Sequence, residues 1–474
     1  MQHKIQKIAL LTSGALAGVV LTLSVNALAE KDAPTPLPLN ELRTFTEVYG
    51  RIKSDYVEPV ADKKLITDAI NGMLSGLDPH SNYLDPEAYK ELREGTQGEF
   101  GGLGIEIGME DGLIKIVSPI EDTPAARAGL KSGDLIVKID DTLVRGLAPN
   151  DAVKRMRGKP GSKVTLTILR KNESKPLVFQ LTRAIIKTKS VKSKLLEAGY
   201  GYVRITQFQE HTVENLAQAI NGLYKENGAP LQGLVLDLRD DPGGLLNAAV
   251  GVSAAFLPHD ALVVYTEGRT TEAQMRLTAN ADNYARSNGS DPLRTLPAAS
   301  KTVPIVVLVN AGTASASEIV TGALQDYKRA IVLGTQTFGK GSVQTILPLS
   351  NEGGIKLTTA RYFTPKGTSI QAKGITPDVI VEETATAGNS TPEVRLREAD
   401  LEHHLANPNA EKTKTTPAES KPVIEPAPTT KMPETPDDSA NSKPNPKTDY
   451  QLGQALNILK VQQILGSKPM AVAQ

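Results

Sequence analysis

The chain has 474 residues, with 53 Lys and Arg balanced by 53 Asp and Glu, so its formal charge is zero. That length exceeds what one hydrophobic core usually fills, so several packed units joined by linkers are expected. The charge balance removes the cationic surplus that nucleic acid or acidic lipid would draw on, and the absence of cysteine excludes disulfides, thiolate metal sites and cysteine nucleophiles.

At the start, Lys4 and Lys7 precede an apolar run over 8–25 and then Asn26-Ala27-Leu28-Ala29. A basic end, an apolar stretch and small residues at Ala27 and Ala29 read as an export signal over 1–29, cut after Ala29. The run is close to the lower limit for a membrane span, so an uncleaved anchor is the alternative, and membrane association is expected only in that case. Both readings place the body outside the cytoplasm, in the periplasm or cell envelope.

Over 30–95, apolar spacing at Leu42, Phe45, Val48 and Ile52, then at Leu65, Ile66, Ala69, Ile70 and Met73, predicts paired helices. Asp78-Pro79-His80 breaks the second helix and Asp85-Pro86 opens a third, because Pro fits a first helical turn and not an interior. His80 reads as a turn residue bonded locally, since no second His or carboxylate cluster stands at ligand spacing.

Over 96–183 the pattern changes to short strands, with Thr123-Pro124 opening and Gly129 closing one short helix. The loop Gly102-Leu103-Gly104-Ile105, the run from Pro124 through Ala128-Gly129-Leu130 to Gly133-Asp134, and Arg157-Gly158 ahead of Gly161 together resemble a PDZ domain. Successive N–H groups at a Gly-rich turn form an anion site, and the adjoining strand edge can accept an extended peptide. A free C-terminal carboxylate suits both.

Over 184–381 two strand–turn–helix junctions read as an α/β sheet edge. In the first, a strand over 233–239 leads to Asp240-Asp241-Pro242-Gly243-Gly244 and a helix over 245–256. Free N–H groups beside two glycines there suit an oxyanion hole or an anion site. In the second, a strand over 303–309 leads to Gly312-Thr313-Ala314-Ser315-Ala316-Ser317. Spacing does not choose among its three hydroxyls, although Ser317, beside Glu318, reads as a cap of the following helix.

A hydroxyl nucleophile needs a base. His80, His211, His259, His403 and His404 stand in no triad setting, whereas Lys340 lies in Phe338-Gly339-Lys340-Gly341-Ser342-Val343-Gln344 among small and apolar neighbours. Desolvation there favours the neutral amine, the form that accepts a proton. Gly334, Gly339 and Lys340 copy most of a phosphate-binding loop, but Gly341 stands where a magnesium-binding Ser or Thr is required. No nucleotide, metal or other cofactor is expected.

Leu77-Asp78-Pro79-His80-Ser81, the PDZ-like module, Asp237-Leu238-Arg239 with Pro242-Gly243-Gly244, Ala314-Ser315-Ala316-Ser317-Glu318, and the segment from Phe338 to Gln344 jointly resemble the carboxyl-terminal processing peptidases, or tail-specific proteases. The resemblance implies a multidomain α/β protein: an N-terminal helical segment, a PDZ-like β-rich module and an α/β peptidase core of ClpP/crotonase-like type. It implies a serine endopeptidase with Ser315 as nucleophile, Lys340 as base and Gln344 orienting the lysine. The oxyanion hole would come from the N–H of Ala316 and one N–H of Gly243 or Gly244. Substrate C-termini would meet Gly102, Leu103, Gly104 and Ile105, with Arg157 coupling that module to the core. Proteins with free C-termini are the implied substrates, and a second copy of the chain, as a dimer, and an adaptor protein are the further candidate partners.

Asp240 and Asp241 depart from the family's usual Asn and add negative charge beside the implied oxyanion hole, and Gly312-Thr313 replaces a usual Gly-Ser. Residues 274–297 match no motif and read as a mobile insertion. Residues 382–448, rich in Pro, Thr, Ser, Lys and Glu, read as a disordered linker. The stretch 449–474 regains helical spacing and reads as a segment docked on the body or on a second subunit, with a frayed tail as the alternative.

Overall fold

A computed structural model describes residues 37–110, 112–120, 122–171, 173, 175–286, 290–383, 396–409 and 444–467. The expected export signal and most of the Pro-rich stretch lie outside the described residues. The chain divides into two compact units, 1–70 and 71–474. In the first, the helix Leu39–Asp55 is tied to the start of the helix Asp62–Ser75, where Asp62 Oδ1 accepts from the Tyr49 hydroxyl at 2.7 Å and stands 2.8 Å from Lys53 Nζ.

The second unit begins within that second helix and continues into a strand absent from the sequence reading, Asn82–Leu84, followed by the helix Pro86–Gln97. Asp85 caps that helix by accepting the Ala88 N–H at 2.8 Å, Pro86 fills its first turn, and Gly98 ends it at φ 72°. The strand Glu99–Gly102 then pairs antiparallel with Ala184–Lys187. Between these two strands lies a six-stranded antiparallel sheet around its own core of Ile114, Ile116, Ile136, Leu166 and Ile168. The β-rich module is therefore an insertion whose entry and exit are clasped together by strand pairing.

The rest of the unit is built on a six-stranded sheet in the order Val191–Glu197, Tyr200–Ile205, Gly233–Asp237, Ile305–Val309, Ile331–Gly334 and Val379–Ile380. All neighbours after the first pair are parallel. Parallel strands are buried on both faces and alternate sides. Leu234, Leu236, Ile305, Val307 and Val309 accordingly face the helices Thr212–Asn227, Leu246–Ala254 and Ala316–Asp326. Val235, Val306, Leu308 and Leu333 face the other way and meet Leu452, Ala455, Leu456 and Leu459 of the C-terminal helix Tyr450–Ser467.

That helix is also pinned at its start. Arg239 Nη2 lies 2.6 Å from Asp237 Oδ2 and 2.7 Å from Asp449 Oδ2, and Arg239 Nη1 donates to Gln451 Oε1 at 3.1 Å. Leu459 is wholly buried, so Leu459→Ala is expected to cost about 2–5 kcal/mol. Chemical denaturation should show this as a lower midpoint, and a midpoint unchanged from wild type would mean the helix does not cover the sheet.

Two expectations are corrected. Residues 274–297 are not a free insertion over their described part: the strand Arg276–Thr278 pairs with Leu262–Gly268, and Leu277 and Tyr284 pack on the main core. Met275, Leu277 and Ala279 alternate as a strand's residues do, but the alternation is too short to stand out in a polar stretch. Within the stretch read as linker, residues 396–409 dock on the core: Asn409 Oδ1 accepts from Ser369 N at 2.7 Å, Asn407 Nδ2 donates to Gln371 O at 2.8 Å, and Glu398 is wholly buried. Composition averaged over a long polar stretch hides a short docked one.

Candidate active site

A second sheet supplies the other wall of the site. Ser342–Pro348 pairs antiparallel with the long strand Gly354–Phe363, which also pairs with Asn82–Leu84 and Leu262–Gly268. Between this sheet and the N-termini of two core helices lies a cavity of about 680 Å3. Ser315, Ala316, Gly243, Gly244, Lys340 and Gln344 all line it.

The three hydroxyls of the loop part company here. Thr313 is buried, donating to Leu238 O at 2.8 Å and accepting from Asn310 N at 3.0 Å. Ser317 is buried and donates to the carbonyl of Asp241 at 3.0 Å, which corrects its expected place as helix cap: the helix begins at Ala316, and the cap position belongs to Ser315. Ser315 has φ 56° and ψ −114°, a conformation L-residues rarely hold and one that stores strain at functional turns.

Glu318 fixes the geometry on both sides. Its wholly buried carboxylate accepts the N–H of Ser315 at 2.8 Å, Gly339 at 2.8 Å and Lys340 at 3.0 Å, and the Thr337 hydroxyl at 2.6 Å. One side chain thus ties the Ser315 turn to the Lys340 loop. Burial pushes its carboxyl up to about 7, against the pull of those four donors.

Burial also lowers the Lys340 amine, to about 8. Nearby Lys356 pushes it the same way, while Glu398, Asp78 and Glu318 oppose. The Tyr362 hydroxyl donates to the Lys340 carbonyl, and burial holds its acidity far below that of free tyrosine even though a hydrogen bond with Ser315 pulls the other way. Gln344 reaches the cavity, but its Nε2 donates to Ser342 Oγ at 3.0 Å and Thr358 Oγ1 at 3.3 Å, and among the described residues it makes no hydrogen bond to the Lys340 amine.

On the opposite wall, the Gly243 N–H is taken by Asp241 Oδ1 at 2.9 Å, while the Gly244 and Ala316 N–H groups donate to no protein group among the described residues. A Cβ on Gly243, at φ 93°, would stand 2.7 Å from Ala316 N. Asp241 does not bring the negative charge that the sequence implied. It is wholly buried, and burial pushes its carboxyl up to about 8, so it is mostly protonated at neutral pH.

The β-rich module carries its own groove, about 200 Å3, lined by Phe100, Gly102, Leu103, Gly104, Ile105 and Arg157 among others. The Arg157 guanidinium lies 4.4 Å from the centre of the Phe100 ring. Gly104 holds φ 77°, and any Cβ there would meet the Thr123 side chain at 2.3 Å.

His80 is corrected as well. Its N–H does close the local turn on Asp78 Oδ1 at 2.9 Å, but its ring pairs with Glu398 Oε2 at 2.8 Å, 318 positions away. Sequence reasoning gave no part in the site to Glu318, Glu398, Lys356 or Tyr362, and read Asp78 only as part of a helix-breaking turn and of the family motif. Only Glu318 carried a readable signal, since Ser-x-x-Glu is the spacing of a capping box. No group of three or more His, Asp or Glu that could hold a metal occurs among the described residues.

Residues 199–381 match the model of peptidase family S41, residues 101–181 match the PDZ domain, and residues 20–88 match the N-terminal domain of the activating protease CtpB. The chain is 46% identical over 393 residues to a carboxy-terminal-processing protease of Bartonella bacilliformis, covering 82% of this chain and 87% of that one. It is 34% identical to the carboxy-terminal processing protease CtpB of Bacillus subtilis, covering 78% and 75%. Among solved structures, the photosystem II D1 C-terminal processing protease is 32% identical, with 71% and 86% covered and a TM-score of 0.40.

Proposed function

Because the chain belongs to the carboxy-terminal processing serine peptidases of family S41, we propose that it is an exported endopeptidase that cleaves envelope proteins with a Ser315–Lys340 dyad after its PDZ domain has engaged their C-termini. The neutral Lys340 amine takes the proton from Ser315 Oγ as that oxygen attacks the scissile carbonyl. The N–H groups of Ala316 and Gly244 receive the developing oxyanion, where fixed donors act without reorganisation. The lysine then returns its proton to the leaving amine, and a water, deprotonated by the same amine, releases the acyl group.

One observation carries this reading: of the three hydroxyls in the loop, Ser315 alone lines the cavity that also holds a lysine amine lowered by burial to about 8. Gln344 acts on this reading through the Ser342 and Thr358 hydroxyls rather than by gripping the amine. For the PDZ groove, a peptide carboxylate would approach the loop Gly102-Leu103-Gly104-Ile105, with Arg157 at its rim. Arg157 directly precedes Gly158, whose N–H donates to Gly101 O at 3.1 Å on the ribbon that clasps the module to the core, a short route for coupling.

The test is digestion of an unstructured protein by wild type and Ser315→Ala, with product masses read to locate the cuts. Cleavage by wild type and none by Ser315→Ala is the expected result; equal cleavage by both would sink the dyad. Running the same protein with its C-terminus amidated separates the PDZ half, which predicts slower cleavage of the amide. A further prediction is that Gly104→Ala removes the preference for free C-termini while small peptides are still cut, because the added Cβ closes the loop onto Thr123. Preference retained in that variant would refute the groove as the capture site.

A further inference from the structure

We propose that Glu398, carried by residues 396–409 beyond the last core strand, is a positioning residue for the base: it grips the loop on both sides of Lys340 and places a negative charge beside its amine. The inference rests on the reading of Lys340 as the base. The grip has two arms. The Glu398 N–H donates to Phe338 O at 3.1 Å, two residues before Lys340. Its Oε1 accepts from Gln371 Nε2 at 2.8 Å, and Gln371 Oε1 in turn accepts the N–H of Gly341 at 2.9 Å, one residue after Lys340. The second carboxylate oxygen takes His80 Nε2 at 2.8 Å.

A wholly buried carboxylate is disfavoured unless its oxygens are bonded and a positive charge faces it. Here both oxygens are bonded, and the positive charge comes from His80 and from Lys340 in its protonated form. The free amine is hindered from becoming an ammonium by burial and by Lys356, so a fixed carboxylate makes it a stronger base at the moment of transfer. The same logic gives a third member to a nucleophile–base pair elsewhere. The charges that act on the Lys340 amine are Lys356 from the long strand, Asp78 from the turn before Asn82–Leu84, Glu318 from the core helix, and Glu398; His80 lies 2.8 Å from Glu398 Oε2.

The experiment is kcat/KM against pH for wild type and Glu398→Gln on a short peptide, with folding checked by circular dichroism. Removing the charge is expected to move the limb set by Lys340 to lower pH by about half a unit or more and to lower the plateau kcat about tenfold with KM little changed. A limb that stays in place overturns the proposal, because lost packing alone does not move it. His80→Gln is run beside it; a limb that vanishes there belongs to His80, which also overturns the proposal. Lys340→Ala separates the underlying reading: if that variant keeps the activity and the limb, the base assignment itself fails. Should Glu398→Gln not fold, Glu398→Asp decides, since it keeps the charge and withdraws it by one methylene. A limb moved to lower pH by less than full removal of the charge would give, with a lower kcat, supports the role, and a limb that stays in place overturns it.

Discussion

Replacing Lys340 by Ala is expected to lower kcat/KM by about 10⁴-fold or more, with the fold retained, because the loss of a general base leaves only binding and the oxyanion donors. The same residue predicts the pH profile of the wild type. The base acts as the neutral amine, and burial holds Lys340 at about 8. Below that value the neutral fraction falls about tenfold per pH unit, so kcat/KM should rise with that slope and level off above about pH 8. Measurement from about pH 6 to about pH 10 checks the sign. A profile that is flat or falls across that limb would remove Lys340 from the chemistry.

The second large effect is expected at Gly243. A methyl there would lie 2.6 Å from Ala314 O, 2.7 Å from Ala316 N and 2.9 Å from Ser315 Cβ, at a φ of 93° that L-residues resist. It would fill the space in front of the Ala316 N–H, where the oxyanion is proposed to sit. Gly243→Ala should therefore lose about 10²–10³ in kcat, the cost of one oxyanion donor, with a smaller change in KM. Gly244→Ala meets a second obstruction: its Cβ would stand 2.1 Å from Phe208 O, within the backbone pairing that seats the loop, to which Gly243 O also belongs by accepting the Phe208 N–H at 2.9 Å. Both variants should therefore lose thermal stability as well as activity, and a melting temperature unchanged in either would contradict that seating.

What the sequence made legible follows the range of its signals. The strand over 305–309 is an unbroken run of Ile, Val and Leu, and the strand over 233–237 carries Leu234, Val235 and Leu236 in a row; such short runs are the pattern of buried parallel strands. Asp85-Pro86 and Gly98 mark a helix by local chemistry alone. The small-residue loops around Ser315 and Lys340 were visible as loops because runs of small residues and glycine break both helical and strand periodicity. The choice of Ser315 over its neighbours was not visible, since it depends on Thr313 and Ser317 turning inward to carbonyls of the Leu238–Asp241 turn, and only the family resemblance supplied it.

Illegible were the partners brought in from a distance. Glu398 sits in a polar stretch with no pattern of its own, and His80 meets it only because two sheets and a returning segment converge. Asp241 shows the opposite error: its charge was readable and its burial was not. A carboxylate in a sequence counts as negative, whereas one closed behind Pro242 and Ser317 at the head of a helix is mostly neutral at ordinary pH.

The C-terminal helix also constrains the order in which the fold can close. Its residues 452–459 cover Tyr200, Tyr202, Val306 and Leu333, so the outer face of the sheet is bare for as long as the helix has yet to be synthesised. Asp449 joins Arg239 across 210 positions, and every such contact must wait for the chain between its ends to be made and then closed. A growing chain that already carries Ser315 and Lys340 still lacks Glu398 against His80 and the helix against the sheet. A chain folded only as far as Lys340 therefore exposes apolar surface that chaperones and other proteases recognise, and its site is incomplete until the later segments close on it.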